Sequence, residues 1–120
     1  MSEAARIASG PNGFRVDVEP DRDVVVVRPC GELDLATAPV LDAQLQELYD
    51  SGFRRMTLDL VGLTFIDSTG LRVPVRWSRQ ARDDGFELRL LPGVPAVHYV
   101  FELTGLVDVL PFADRRREDS

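Results

Sequence analysis

The chain of 120 residues holds no lysine: its fourteen basic residues are all arginine, which we read as the coding bias of a GC-rich genome rather than as chemistry. Histidine and cysteine occur once each, as His98 and Cys30. One of each cannot supply the spaced ligand sets of a structural or catalytic metal centre. A lone cysteine forms no internal disulfide, which agrees with a reducing compartment, and its expected place is packed at the end of a strand. No apolar run approaches the roughly 20 residues of a membrane span, and residues 1–13 lack the charged-then-apolar plan of a signal peptide, so a cytoplasmic protein is expected. The net charge of −6 argues against a nucleic-acid binder, whose affinity rests on clustered cations. Phosphate-binding and dinucleotide signatures are missing. Residues 66–70 read Ile-Asp-Ser-Thr-Gly rather than the G-x-S-x-G of a hydrolase elbow, and a triad would need His98 to fold back onto Ser68. No catalytic residue, metal or cofactor is predicted. A serine hydrolase is the reading that covalent labelling of Ser68 would be needed to raise.

What is present is organised around residues 58–71. Residues 57–61 are β-rich, with Asp59 interrupting the apolar run, and residues 61–66 are predicted to turn the chain over the edge of a sheet. Asp67 and Ser68 are both strong helix N-cap types. The pattern puts a hydroxyl at a helix N-terminus, beside a carboxylate, at the carboxyl end of a parallel strand, which is where open α/β sheets carry their sites. Backbone N–H groups there favour negative charge. Ser68 is therefore the candidate functional residue, as a modification site or as an ordinary cap.

Around that stretch, residues 1–13 show no period and are expected to be frayed. Residues 14–19 alternate like a half-buried strand, residues 20–23 turn, and residues 24–28 form a continuous apolar run like a strand covered on both faces. The short turn predicts a hairpin. Thr37 is placed to cap a helix with Pro39 in its first turn, Leu41, Leu45, Leu48 and Tyr49 form its apolar stripe, and Gly52 ends it. A strand over 55–60 leads into the central stretch. The second helix should run from Ser68 to about Asp84, stopped by Gly85 and kinked at Pro74, whose missing N–H frees the Gly70 carbonyl. A strand over 86–91 and a helix from Pro95 follow, with the lone His98 read as structural. Residues 115–120 are a solvated charge run. The order β-β-α-β-α-β-α predicts a single α/β domain with right-handed crossovers.

Three segments carry a family resemblance. Phe65-Ile66-Asp67-Ser68-Thr69-Gly70-Leu71 resembles the central motif of the STAS domain, the family of bacterial anti-sigma factor antagonists. Gly31-Glu32-Leu33-Asp34, with Thr37 and Leu41, is similar to its second marker, and Phe101-Glu102-Leu103-Thr104-Gly105-Leu106 to its C-terminal signature. The resemblance covers residues 14–112, leaving 1–13 as a disordered lead and 113–120 as a charged tail. It implies a mixed, mostly parallel sheet of about four to five strands with helices on one side. It also implies a phosphorylation-controlled partner switch. The serine matching Ser68 is phosphorylated by a cognate anti-sigma factor with serine kinase activity; unphosphorylated, the antagonist binds that kinase and frees the sigma factor, and a serine phosphatase resets it. Asp34 and Asp67 match acids beside that serine, and Thr69 and Gly70 complete the motif. Arg72 stands where the family usually has a small residue, so its bulk can block a kinase face or its charge can hold a phosphate; Pro74 replaces a helix former. The implied partners exclude nucleic acid and membrane, and a monomer or weak dimer is expected. The alternative is a STAS adaptor subunit of a signalling or transport complex, with Ser68 unmodified.

Overall fold

The computed structural model describes residues 5–113. Its strands are β1 (Arg6–Ser9), β2 (Arg15–Asp21), β3 (Val24–Leu33), β4 (Arg55–Asp59), β5 (Leu63–Ile66) and β6 (Glu87–Leu91). Its helices are α1 (Ala38–Asp50), α2 (Ser68–Asp84) and α3 (Pro95–Leu103), with short 3-10 turns at Pro11–Gly13 and Leu106–Asp108.

The six strands form one mixed sheet in the order β1-β2-β3-β4-β6, with β5 also paired to β3. The β1–β2 and β2–β3 pairs are antiparallel, and β3–β4, β3–β5 and β4–β6 are parallel. The predicted hairpin is β2–β3, closed by Arg22 and Asp23 with Arg22 in the left-handed region at φ 62°. Pro20 lies inside β2, opposite Val25 and beyond the end of β1, where the missing N–H breaks no ladder.

Several expectations are corrected. Residues 6–9 are not frayed: they add a strand to β2, because the Arg15–Val18 edge was left open for them. Residues 1–4 lie outside the described residues, as does the predicted charge run at 115–120. The chain does not leave the sheet over residues 61–66. It makes a tight turn at Leu60–Gly62 and rejoins the sheet as β5, so that β4 borders the first half of β3 and β5 its second half. Gly62 permits this: a Cβ there would sit 2.6 Å from Cys30 Sγ and 2.8 Å from the Pro29 carbonyl oxygen. Nor is the valine run of β3 covered on both faces. Val25 and Val27 are fully buried, whereas Val24 and Val26 are half-exposed on the face that carries Arg28 and Asp59.

One core joins the sheet to the helices. Val16, Val18, Val25, Val27, Met56, Leu58, Leu88 and Leu90 meet Leu41, Leu45 and Leu48 of α1 and Leu71, Trp77 and Ala81 of α2. Two clasps hold α1 beside α2. Asp42 accepts from Trp77 Nε1 at 2.8 Å and from Arg76 at 2.9 Å, and the Tyr49 hydroxyl donates to Asp84 at 2.7 Å. The α2 boundaries are those the sequence predicts, with Gly85 left-handed at φ 73° as its C-cap, and the helix continues through Pro74, whose ring is buried. His98 packs edge-on against Phe112 at 5.0 Å, and Phe112 bridges to Leu90, so the histidine belongs to the packing of α3. Leu103, near the end of that helix, is 67% exposed. Among the described residues no helix is long and apolar enough to cross a membrane.

Candidate functional site

The site forms where β3 and β5 end together. Leu33 is paired with Ile66, and the Asp67 N–H donates to the Leu33 carbonyl at 3.3 Å. Asp34 and Asp67 therefore leave the sheet side by side, on strands about 4.8 Å apart. Gly70 keeps α2 close to this corner, because a Cβ on it would run into the Leu33 carbonyl.

The two aspartates have distinct structural tasks. Asp67 is the N-cap of α2, with extended backbone at φ −115°, and its carboxylate accepts from the Gly70 N–H at 2.9 Å. Asp34 organises the turn before α1: its carboxylate accepts from the N–H groups of Ala36 at 3.0 Å and Thr37 at 3.3 Å. The sequence places Thr37 to cap α1, but its side chain makes no capping hydrogen bond. Its buried hydroxyl donates to the Glu32 carbonyl at 2.7 Å and accepts from the Asp34 N–H at 2.9 Å, tying the end of β3 to the helix start.

Ser68 is left over. It is the first residue of α2, exposed, and its hydroxyl makes no hydrogen bond among the described residues. Ser68 is thus not the cap that the sequence allows it to be, since Asp67 caps the helix without it. Thr69 is half-buried and borders a shallow apolar groove of about 360 Å³ between α1 and α2, with Leu35, Pro39, Arg72, Val73 and Arg76. Arg72 lies one helical turn past Ser68, exposed, with no ion pair among the described residues. Two features of the surface are absent from the sequence reading: Leu35, directly after Asp34, is 74% exposed, and Phe65, two residues before Asp67, is 46% exposed. The signal was present in Leu35 beyond the end of β3 and in the segment Leu63-Thr64-Phe65-Ile66, where the strand buries its ends and exposes Thr64 and Phe65.

A serine nucleophile needs a base within hydrogen-bond reach, and His98 is engaged with Phe101 and Phe112 instead. Among the described residues no group of three histidine, cysteine or acidic side chains could hold a metal ion. Cys30 sits in β3 with its Sγ 3.8 Å from Asp17; burial, and next the Asp17 carboxylate, push its thiol pKa up, away from a reactive thiolate.

The same architecture recurs in known proteins. The model of the STAS domain matches residues 15–118. BtrV of Bordetella bronchiseptica is 40% identical over 86 residues, covering 72% of this chain and 74% of that protein. The anti-sigma-B factor antagonist of Bacillus subtilis is 32% identical over 97 residues, covering 81% of this chain and 88% of its own. A crystal structure of an anti-sigma factor antagonist from Mycobacterium paratuberculosis superposes with a TM-score of 0.74 at 26% identity, over 88% of this chain and 89% of that one. Matched by that family's model over most of its length, the chain belongs to the STAS domain family, among relatives that are anti-sigma factor antagonists.

Proposed function

We propose that this protein is an anti-sigma factor antagonist whose partner binding is switched by phosphorylation of Ser68. The observation that carries the reading is that Asp67 caps α2 and leaves the Ser68 hydroxyl exposed and without a structural task. In the unphosphorylated state the exposed Leu35 and Phe65 and the groove beside Thr69 give an anti-sigma factor an apolar surface to cover. That partner is also the serine kinase. It moves the γ-phosphoryl group of ATP onto Ser68 Oγ as the hydroxyl proton departs to a base of the kinase, and a serine phosphatase later hydrolyses the ester.

The energetics fit a switch that leaves the fold intact. A phosphoryl group adds about −1.5 to −2 charges. The N-terminus of α2 offsets this by about 0.3–2 kcal/mol. Repulsion from the Asp34 and Asp67 carboxylates, taken at ~6 Å, is about 1–6 kcal/mol depending on the effective dielectric. On an exposed turn, water and counter-ions screen that repulsion. Under a partner that has excluded water it is felt in full, and every ~1.4 kcal/mol weakens binding tenfold.

The test is incubation with the cognate kinase and ATP, followed by phosphopeptide mapping and measurement of the kinase–antagonist affinity. One phosphoryl group is expected, on Ser68. Ser68→Ala should stay bound in the presence of ATP, and Ser68→Asp should bind at least about tenfold more weakly. Phosphate on Thr69 or Ser78, or a Ser68→Asp protein that binds like the parent, would overturn the reading.

A further inference from the structure

A second concave site lies between the carboxyl-terminal half of α2, the start of β6 and the segment after α3. It is a groove of about 380 Å³, within the size range of small-molecule sites. Val75, Ser78 and Arg82 line it from α2, at helical spacings that stack them on one face, and Leu88, Leu106 and Leu110 form the opposing aliphatic wall.

Three observations give the groove a chemistry. The Ser78 hydroxyl oxygen is buried and has no hydrogen-bond partner, although a serine inside a helix usually settles its hydroxyl on a carbonyl one turn back. The mouth is cationic in a chain of net charge −6. Arg79 makes no ion pair among the described residues, and Arg82 reaches only its exposed neighbour Asp83, at 3.8 Å. The one acid in the lining, Glu87, is drawn off by Arg55 at 3.5 Å and Arg89 at 3.6 Å. Finally, the described end of the chain does not fill the groove. Leu110 and Pro111 edge the groove, but Phe112 pairs with Leu90 in the parallel sense, so residues 112–113 run along β6 away from Glu87 and Leu88.

A free hydroxyl donor, a guanidinium one turn further on and an aliphatic wall match an anionic head on an apolar tail. We propose that this groove binds a medium-chain acyl carboxylate. The carboxylate accepts hydrogen bonds from Ser78 Oγ–H and from Arg82, and the acyl chain lies along Leu106 and Leu110. The site is independent of Ser68, so its failure or success leaves the switch untouched.

The experiment is an amide-resolved NMR titration of the full chain with sodium octanoate, and with octyltrimethylammonium as the cationic control. Octanoate should give saturable shifts confined to residues 75–88 and 106–111, and the cationic control should bind at least about tenfold more weakly. Arg82→Gln should raise the dissociation constant about tenfold and Ser78→Ala by a factor of roughly three to ten. Both variants should stay folded, and Ser78→Ala should melt no lower than the parent, because it removes only a hydroxyl that has no partner. Non-saturating shifts, shifts centred on the α1–α2 groove beside Leu35, equal binding of the cationic control, or unchanged affinity in both variants would each overturn the assignment.

Discussion

The starts of α1 and α2 are made from the same parts, an aspartate followed by a hydroxyl residue at the end of a β-strand, and they put the hydroxyl to opposite use. At α1 the Thr37 hydroxyl is 1% exposed by residue and spent twice over, on the Glu32 carbonyl and the Asp34 N–H. At α2 the aspartate stands directly before the hydroxyl residue instead of three positions earlier, and so can cap the helix itself. Ser68 is then pushed out to solvent at the first helical position, with nothing to hold. A hydroxyl consumed by the fold is unavailable to a kinase; one that caps nothing is available. Spacing along the chain thus decides which of two similar helix starts is scaffold and which is surface.

The largest effect that sharpens this contrast is in stability. Thr37→Val keeps the shape and removes the hydroxyl, leaving the Asp34 N–H and the Glu32 carbonyl without their partner; a loss of about 2–3 kcal/mol in urea unfolding is expected. Ser68→Ala should change stability by less than about 0.5 kcal/mol. If the two variants lose similar amounts, Ser68 has a structural task and the contrast fails. Asp67→Ala comes next. It removes the bond to the Gly70 N–H and should cost about 1 kcal/mol, and Asp67→Ser should recover most of it because serine is also a good cap. An Asp67→Ala protein as stable as the parent would mean that Ser68 moves in as a substitute cap.

How much of this was legible in the sequence depended on distance along the chain. The extent of α2, its stop at Gly85, the α1 stripe of Leu41, Leu45 and Leu48 and the β2–β3 hairpin follow from rules that act within a few residues. That Asp34 and Asp67 lie together next to Ser68 was implied by the family resemblance, and the pairing of Leu33 with Ile66 brings the two aspartates side by side. What the sequence hid is set by partners far away. β1 is a strand because β2 offers an edge, and β5 is a strand because the second half of β3 extends past β4. Leu35 and Phe65 face solvent because of tertiary placement: Phe65 stands in β5 opposite Glu32, and Leu35 lies just past the end of β3. Thr37 looks like a cap until its hydroxyl meets Glu32, five residues back around a turn.

The smallest effect expected concerns Arg72, which has no counterpart at the start of α1. It stands four residues after Ser68 on the same face of α2 and has no ion pair among the described residues. A phosphoryl group on Ser68 would lie between two carboxylates that repel its second charge and one guanidinium that attracts it. Because Arg72 is exposed, solvent screening limits that attraction to less than about 1 kcal/mol. The clearest readout is the second ionisation of the phosphoserine, ordinarily near pKa ~6. In protein carrying phosphoserine at position 68, followed by phosphorus NMR across pH, Arg72→Gln should raise that pKa by up to about half a unit, since each unit corresponds to about 1.36 kcal/mol. Glutamine preserves helix propensity, so the change reports charge rather than backbone. The sign matters: Arg72 favours the dianion, so the parent should complete its switch at the lower pH. If the pKa is the same in both proteins, Arg72 does not hold the phosphate, and its exposed guanidinium is left to choosing the partner that covers α2.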